Sequence, residues 1–200
     1  LKESIKMYIL SCAARFFRGQ KNKHSSMLIH VSHYVNVHHQ LNDKVLDYVK
    51  ILKNRIENAG SNDLIWSELK DLWENKFQPV SRNMQKQSES LGCFHEWNEI
   101  KPEIKLATER INVIEVNGQS KQVLDYSALE KDKKFQNFIV IGGFRLSRGL
   151  TLDGLTISYF LRSSSMYDTL MQMGRFFGYR DNFLDLCRIY TTVDMISAYQ

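Results

Sequence analysis

The chain has 200 residues, 43% hydrophobic and 24% charged, an ordinary globular composition that points to neither disorder nor a fibre. Its net charge of +5 and pI near 9.0 favour an acidic partner only mildly, because many soluble enzymes are as basic. No apolar run reaches the roughly 18 residues that span a bilayer. The cysteines Cys12, Cys93 and Cys187 stand apart, giving neither a CxxC metal pattern nor a disulfide framework. A reducing, cytoplasmic setting without a membrane is therefore expected.

Residues 4–18 place Ile5, Tyr8, Ile9, Cys12, Ala13 and Phe16 at a helical period, with Gly19 as the stop. Arg15 and Arg18 close this apolar stretch too early for a secretory signal. The opening LKESIK has no initiator methionine, so a fragment of a longer protein is expected. Residues 26–32 (SMLIHVS) read as a buried strand. Residues 35–59 read as a long amphipathic helix with Val37, Leu41, Val45, Val49, Leu52 and Ile56 on one face. Gly60-Ser61-Asn62 breaks it, and residues 64–77 form another helix around Trp66, Leu69, Leu72 and Trp73. Residues 78–105 are polar and hold both prolines, Pro79 and Pro102, so a helix near residues 84–90 is expected between loops. Residues 111–116 are β-branched and read as a strand, followed by the turn signal Asn117-Gly118. Residues 138–141, 156–161 and 188–192 complete five short strands. Helical patterns between them predict an α/β fold with a mostly parallel sheet, and residues 60–105 a largely helical insertion.

Nowhere does G-x-x-x-x-G-K-[ST] occur, and Gly142-Gly143 lacks a third glycine or a lysine at phosphate-binding spacing. The chain is not expected to cradle a triphosphate by itself. In the loop of residues 144–155, Gly149 and Gly154 permit positive φ or close approach to a ligand. Ser147, Arg148 and Thr151 there offer donors suited to phosphate oxygens. By itself such a loop also reads as a solvated connection with glycine turns. Residues 171–180 are MQMGRFFGYR, where Gly174 and Gly178 frame Arg175, and Arg180 stands beyond. A guanidinium is planar, permanently charged and bidentate toward phosphate; at a helix C-terminus it also simply offsets the macrodipole. The two arginine-bearing segments follow consecutive strands, so both can reach one sheet edge. Three other features have quieter readings. His38 and His39 are adjacent on a helix and face different ways. Trp66 and Trp73 read as helix core. Glu103-Ile104-Lys105 lacks the acidic partner that a metal-dependent nuclease needs.

Taken together, the order strand, Ser-Arg-Gly-Leu-Thr-Leu loop, strand, helix, Gln-x-Gly-Arg, strand resembles motifs V and VI of superfamily-two helicases, which lie in the second RecA-like domain. Residues 27–32 with His33 resemble the strand of motif IV. The wording is closer still to the Z-one domain family, described as an endonuclease domain of helicase-like ATPases in bacterial restriction and phage defence. The resemblance covers about residues 4–192 and is densest at 146–155 and 167–180. It implies a RecA-like three-layer domain over residues 1–200, carrying the insertion at 60–105. It also implies that Arg175 is an arginine finger for the γ-phosphate and Arg180 the second motif VI arginine, although Arg180 falls five residues after Arg175 where common helicases have three. Gly149 with Arg148 before it matches motif V. Asp153 matches an acidic residue that meets the ribose or the motif VI arginine, and Gln172 lies near the family's leading Gln or His. Ser32, His33, Ser147, Arg148 and Thr151 are the implied nucleic-acid contacts, with DNA as the expected partner. ATP and magnesium would be bound mainly by an N-terminal RecA-like ATPase domain absent from this chain. The runner-up reading is a non-catalytic DNA- or partner-binding module of the same fold.

Overall fold

The computed structural model describes residues 1–31, 35–87, 93–116, 126–142, 152–161 and 182–197. Five strands, β1 (Ser25–His30), β2 (Ile111–Val116), β3 (Asn137–Gly142), β4 (Leu155–Phe160) and β5 (Arg188–Tyr190), form one sheet in the order β2-β3-β1-β4-β5. Every pairing is parallel. The chain thus adopts the expected α/β fold. β1 and β3 are buried at every position. That is why they read as continuous runs rather than alternating ones: helices cover both faces. Met27, Ile29, Ile139, Ile141 and Ile157 pack on one side with α1 (Lys2–Phe17) and α2 (Val35–Asn58). Leu28, Val140, Phe138, Leu155 and Phe160 pack on the other with Leu152 and with Tyr126 and Leu129 of α7 (Tyr126–Lys131).

The sequence presents α1 as a one-faced helix, but residues 4–16 are buried all round, Lys6 apart. Its inner side lies on β4. Its outer side is covered by α3 (Leu64–Leu72), α5 (Trp97–Ile100) and α6 (Ile104–Glu109). The helical stretch between β1 and β2 therefore adds an outer layer, and its residues Ile65, Leu69, Trp73, Phe77, Ile100 and Ile104 join the α1 core rather than forming one of their own.

Two expectations for this stretch are corrected. The helix foreseen near residues 84–90 begins earlier, as α4 (Gln78–Gln87), and follows α3 through a π-helical turn at Trp73–Phe77. Pro79 sits in the first turn of α4, where its missing N–H costs little. The carbonyl that its ring would meet four residues back, that of Asn75, belongs to the wider π turn. Pro102 likewise occupies the start of a 3₁₀ turn at Lys101–Glu103, linking α5 to α6 instead of breaking the chain into a loop. In α2, Val45, Val49, Leu52 and Ile56 are buried as expected. Val37 is 38% exposed, and His38 takes the inward position beside it. No described helix is long and apolar enough to cross a membrane.

β1 and β4 slip register between Ser26 and Met27, and Thr156 is the extra residue of that bulge. The bulge brings the buried Thr156 hydroxyl 2.8 Å from Ser11 Oγ of α1, while Ser11 donates to the Tyr8 carbonyl at 2.8 Å. Because Ser11 keeps its bond to the Tyr8 carbonyl, it is the loss of the Ser11 hydroxyl that takes the partner from Thr156. Ser11→Ala is therefore expected to cost about 1–2 kcal/mol in denaturant unfolding, and measurably less in a Thr156→Val background. Equal costs in both backgrounds would mean that the two hydroxyls are not coupled.

Candidate functional site

A ligand crevice in an open parallel sheet forms at the carboxyl ends of two neighbouring strands whose onward connections run in opposite directions. β1 continues to β2, past β3. β4 continues to β5 on the far side. The switch point therefore lies between the neighbours β1 and β4, at His30, Val31, Phe160 and Leu161. There the Leu161 N–H donates to the His30 carbonyl at 3.2 Å and extends the ladder. His30 is buried against Phe160, with ring centroids 5.0 Å apart. β3 ends beside β1, with Ile141 opposite Ile29 and Gly142 one residue further. Thus β3, β1 and β4 present three adjacent carboxyl ends.

The sequence attaches its motifs to these ends. Ser32 and His33 follow Val31; Ser147, Arg148, Gly149 and Thr151 follow Gly142; Gln172, Arg175 and Arg180 follow Leu161. These nine residues lie outside the described residues. Asp153 is described. It sits half-buried in the turn before β4, at the amino edge of the sheet and so opposite the crevice. There its carbonyl accepts from Ser26 Oγ at 2.7 Å.

At that amino edge the sequence reading missed the residues that matter most. Arg15, read only as the end of an apolar run, is 2% exposed. Its Nε donates to Gln20 Oε1 at 2.7 Å, and its Nη1 donates to the His24 carbonyl at 2.9 Å, Ser25 Oγ at 2.7 Å and the Gly154 carbonyl at 3.2 Å. Its guanidinium lies 4.3 Å from the centre of the Phe183 ring. Gly154 has φ +61° and approaches this guanidinium and the His24 carbonyl so closely that no Cβ fits. The close approach foreseen for this glycine is to the protein's own chain, not to a ligand.

Arg18, one turn further along the chain, holds a second node. Its Nη1 and Nη2 donate to Asp185 Oδ1 and Oδ2, each at 2.7 Å, and both side chains are buried, 4% and 0% exposed. Nη1 also donates to the Asn182 carbonyl at 2.8 Å, Nη2 to the Cys93 carbonyl, and Nε to His95 Nε2 at 3.0 Å. Ser81 of α4 donates to Asp185 Oδ2. Burial, and after it the Arg18 guanidinium, hold the His95 pKa below its usual value. Arg18 thus ties the end of α1 to residues 93–95 and to Asn182 and Asp185, and Asp185 carries the link on to Ser81 of α4. Two residues past Arg180, the chain is fixed at Asn182 on the amino edge. A single apolar-to-charged step in the sequence gave no sign of either arginine node.

The remaining candidates resolve into structural roles. Burial pushes the Cys12 thiol up to about 11, which makes it unreactive near neutrality. Trp66 and Trp73 are core, and their indole N–H groups donate to the Gly60 and His95 carbonyls. His39 pairs with Glu115 at 2.8 Å. Glu103 accepts from Lys21 at 2.7 Å, while Lys105 donates to the Glu57 carbonyl at 3.2 Å, so the two ends of that tripeptide are engaged with different partners. Among the described residues no group of three His, Cys, Asp or Glu side chains is placed to hold a metal ion.

A family model described as the Z1 domain matches residues 1–200. No curated protein matches the chain, and no solved structure does.

Proposed function

Because this chain belongs to the Z1 domain family, we propose that it is the second RecA-like half of an ATP-dependent, helicase-like translocase of a restriction or phage-defence system. One observation carries the reading. The carboxyl ends of β3, β1 and β4 are adjacent, and each is followed in the sequence by one of the three segments that resemble helicase motifs. Adjacent strand ends suit a nucleotide-dependent motor, because charge developing on a phosphoryl group is stabilised by cations brought to the same place.

ATP with magnesium, held mainly by a partner ATPase domain, supplies the phosphoryl chemistry when bound. This chain's part is to position charge. Arg175 is the arginine finger and Arg180 the second cation; both are planar, permanently charged donors. Gly149 gives backbone room, and Gln172 a neutral polar contact beside them. Ser32, His33, Ser147, Arg148 and Thr151 hold the DNA backbone through hydrogen bonds to phosphate oxygens, which fix register without reading sequence. Asp153 has no part in this reading, since its turn lies on the opposite edge.

One observation favours a non-catalytic DNA- or partner-binding module instead. Asn182, only two residues after Arg180, is fixed at the amino edge. DNA-stimulated ATP hydrolysis separates the two readings, measured on this chain joined to its ATPase domain, wild type against Arg175→Ala. The motor reading expects stimulated turnover that falls by on the order of a thousandfold in the variant. Equal turnover removes the role of Arg175. DNA binding without hydrolysis in either protein supports the binding module.

A further inference from the structure

We propose that His95 is a proton-operated latch on the buried Arg18–Asp185 pair, which acid releases so that α1 loosens its hold on residues 93–95 and 182–187. The hydrogen bond from Arg18 Nε to His95 Nε2, 3.0 Å long, requires that this nitrogen carry no proton. Protonation turns the acceptor into a donor and sets an imidazolium against a guanidinium.

The surroundings offer little compensation. From α1, the Phe17 ring meets His95 edge-on at 4.9 Å beside Arg18. Asp185 is already shared between both Arg18 terminal nitrogens and Ser81. Glu99 of α5 stands 3.9 Å from Nδ1, is 45% exposed, and accepts from the Glu96 N–H at 2.7 Å. Trp73 and Gln78 reach only the His95 carbonyl, at 3.1 and 3.0 Å, and do not respond to the ring's charge.

Burial and Arg18 lower the folded-state pKa from the ordinary value of 6.5, whereas Glu99 and Asp185 act the other way. A depressed histidine pKa contributes stability above the unfolded value. That stability is lost as pH falls from about 6.5 through the folded value, because the unfolded chain binds the proton more tightly. The latch is therefore closed at neutral pH and opens on acidification.

His95→Gln keeps an acceptor for Arg18 and does not titrate. Between about pH 7.5 and 5.5, wild-type melting temperature is expected to fall more steeply than that of the variant. Deuterium uptake at residues 182–187, corrected for intrinsic exchange, should rise in the wild type by up to about tenfold per pH unit and stay level in the variant. Parallel slopes in the two proteins overturn the proposal. So does a wild-type His95 imidazole resonance that titrates at or above 6.5, a measurement that stands even where the variant does not fold.

Discussion

Gly154→Ala is expected to destabilise the protein by about 4 kcal/mol or more, and two other glycines provide its scale. A Cβ at position 154 would stand 2.2 Å from the His24 carbonyl oxygen and 2.3 Å from Arg15 Nη1. Neither neighbour can retreat. The His24 carbonyl is fixed one residue before β1, and the Gly154 carbonyl accepts from the Ser26 N–H at 3.0 Å, which sets the start of the β1–β4 ladder. Displacing Arg15 would strand a buried guanidinium from several of its acceptors, each charge-assisted bond contributing about 1.5–3 kcal/mol. The left-handed φ adds about 1–2 kcal/mol for any side chain. Gly19 has φ +81° but open space around it, so Gly19→Ala should cost only that last amount. Gly60 has neither constraint, and Gly60→Ala should fall within about 0.5 kcal/mol of the wild type. Denaturant midpoints of the three variants test the order. A Gly154→Ala protein as stable as Gly19→Ala would mean that the amino edge yields, and that the Arg15 node is not rigid.

Asp185→Ala should cost about 3–5 kcal/mol, because it leaves the Arg18 guanidinium buried with its counter-ion gone. Asp185 is fully buried and Arg18 nearly so. An exposed pair of the same geometry would contribute about 0–1 kcal/mol. The loss should appear in both α1 and the segment leading into β5, since Arg18 also holds the Asn182 and Cys93 carbonyls. Removing both charges together, Arg18→Leu with Asp185→Leu, should cost clearly less than the sum of the two single changes, because each single variant keeps one orphaned charge and the double variant keeps none. Thermal unfolding of the two single variants and the double variant makes the cycle. Single-variant costs below about 1 kcal/mol would show that water reaches the pair.

Much of the architecture was legible. The β-branched and apolar runs at residues 26–32, 111–116, 138–141, 156–161 and 188–192 mark all five described strands, within a few residues at their ends. Side-chain alternation and shape act locally, so sequence carries them. The early start of α4 at Gln78, ahead of the helix expected near residues 84–90, and the pair α5 and α6 were not legible. Proline reads as a break unless it falls in a first turn, and these turns are held by distant partners: Trp97, Ile100 and Ile104 join the α1 core, while Gln78 and Ser81 of α4 bond to the His95 carbonyl and to Asp185.

The candidate site divides in the same way. By itself the sequence determined the strand set, the α/β class, the lack of a phosphate-cradling loop, and which segments resemble helicase motifs. The tertiary structure alone decided the strand order that puts three motif-bearing connections at adjacent strand ends. It also decided that Asp153 and Gly154 lie at the other edge, and that the side chains of Arg15 and Arg18 are buried anchors rather than surface charges. The reason is distance along the chain. Arg18 meets Asp185 and Arg15 meets Gly154 across more than a hundred residues. A charge's role follows from what the fold brings against it, and no local pattern encodes that partner.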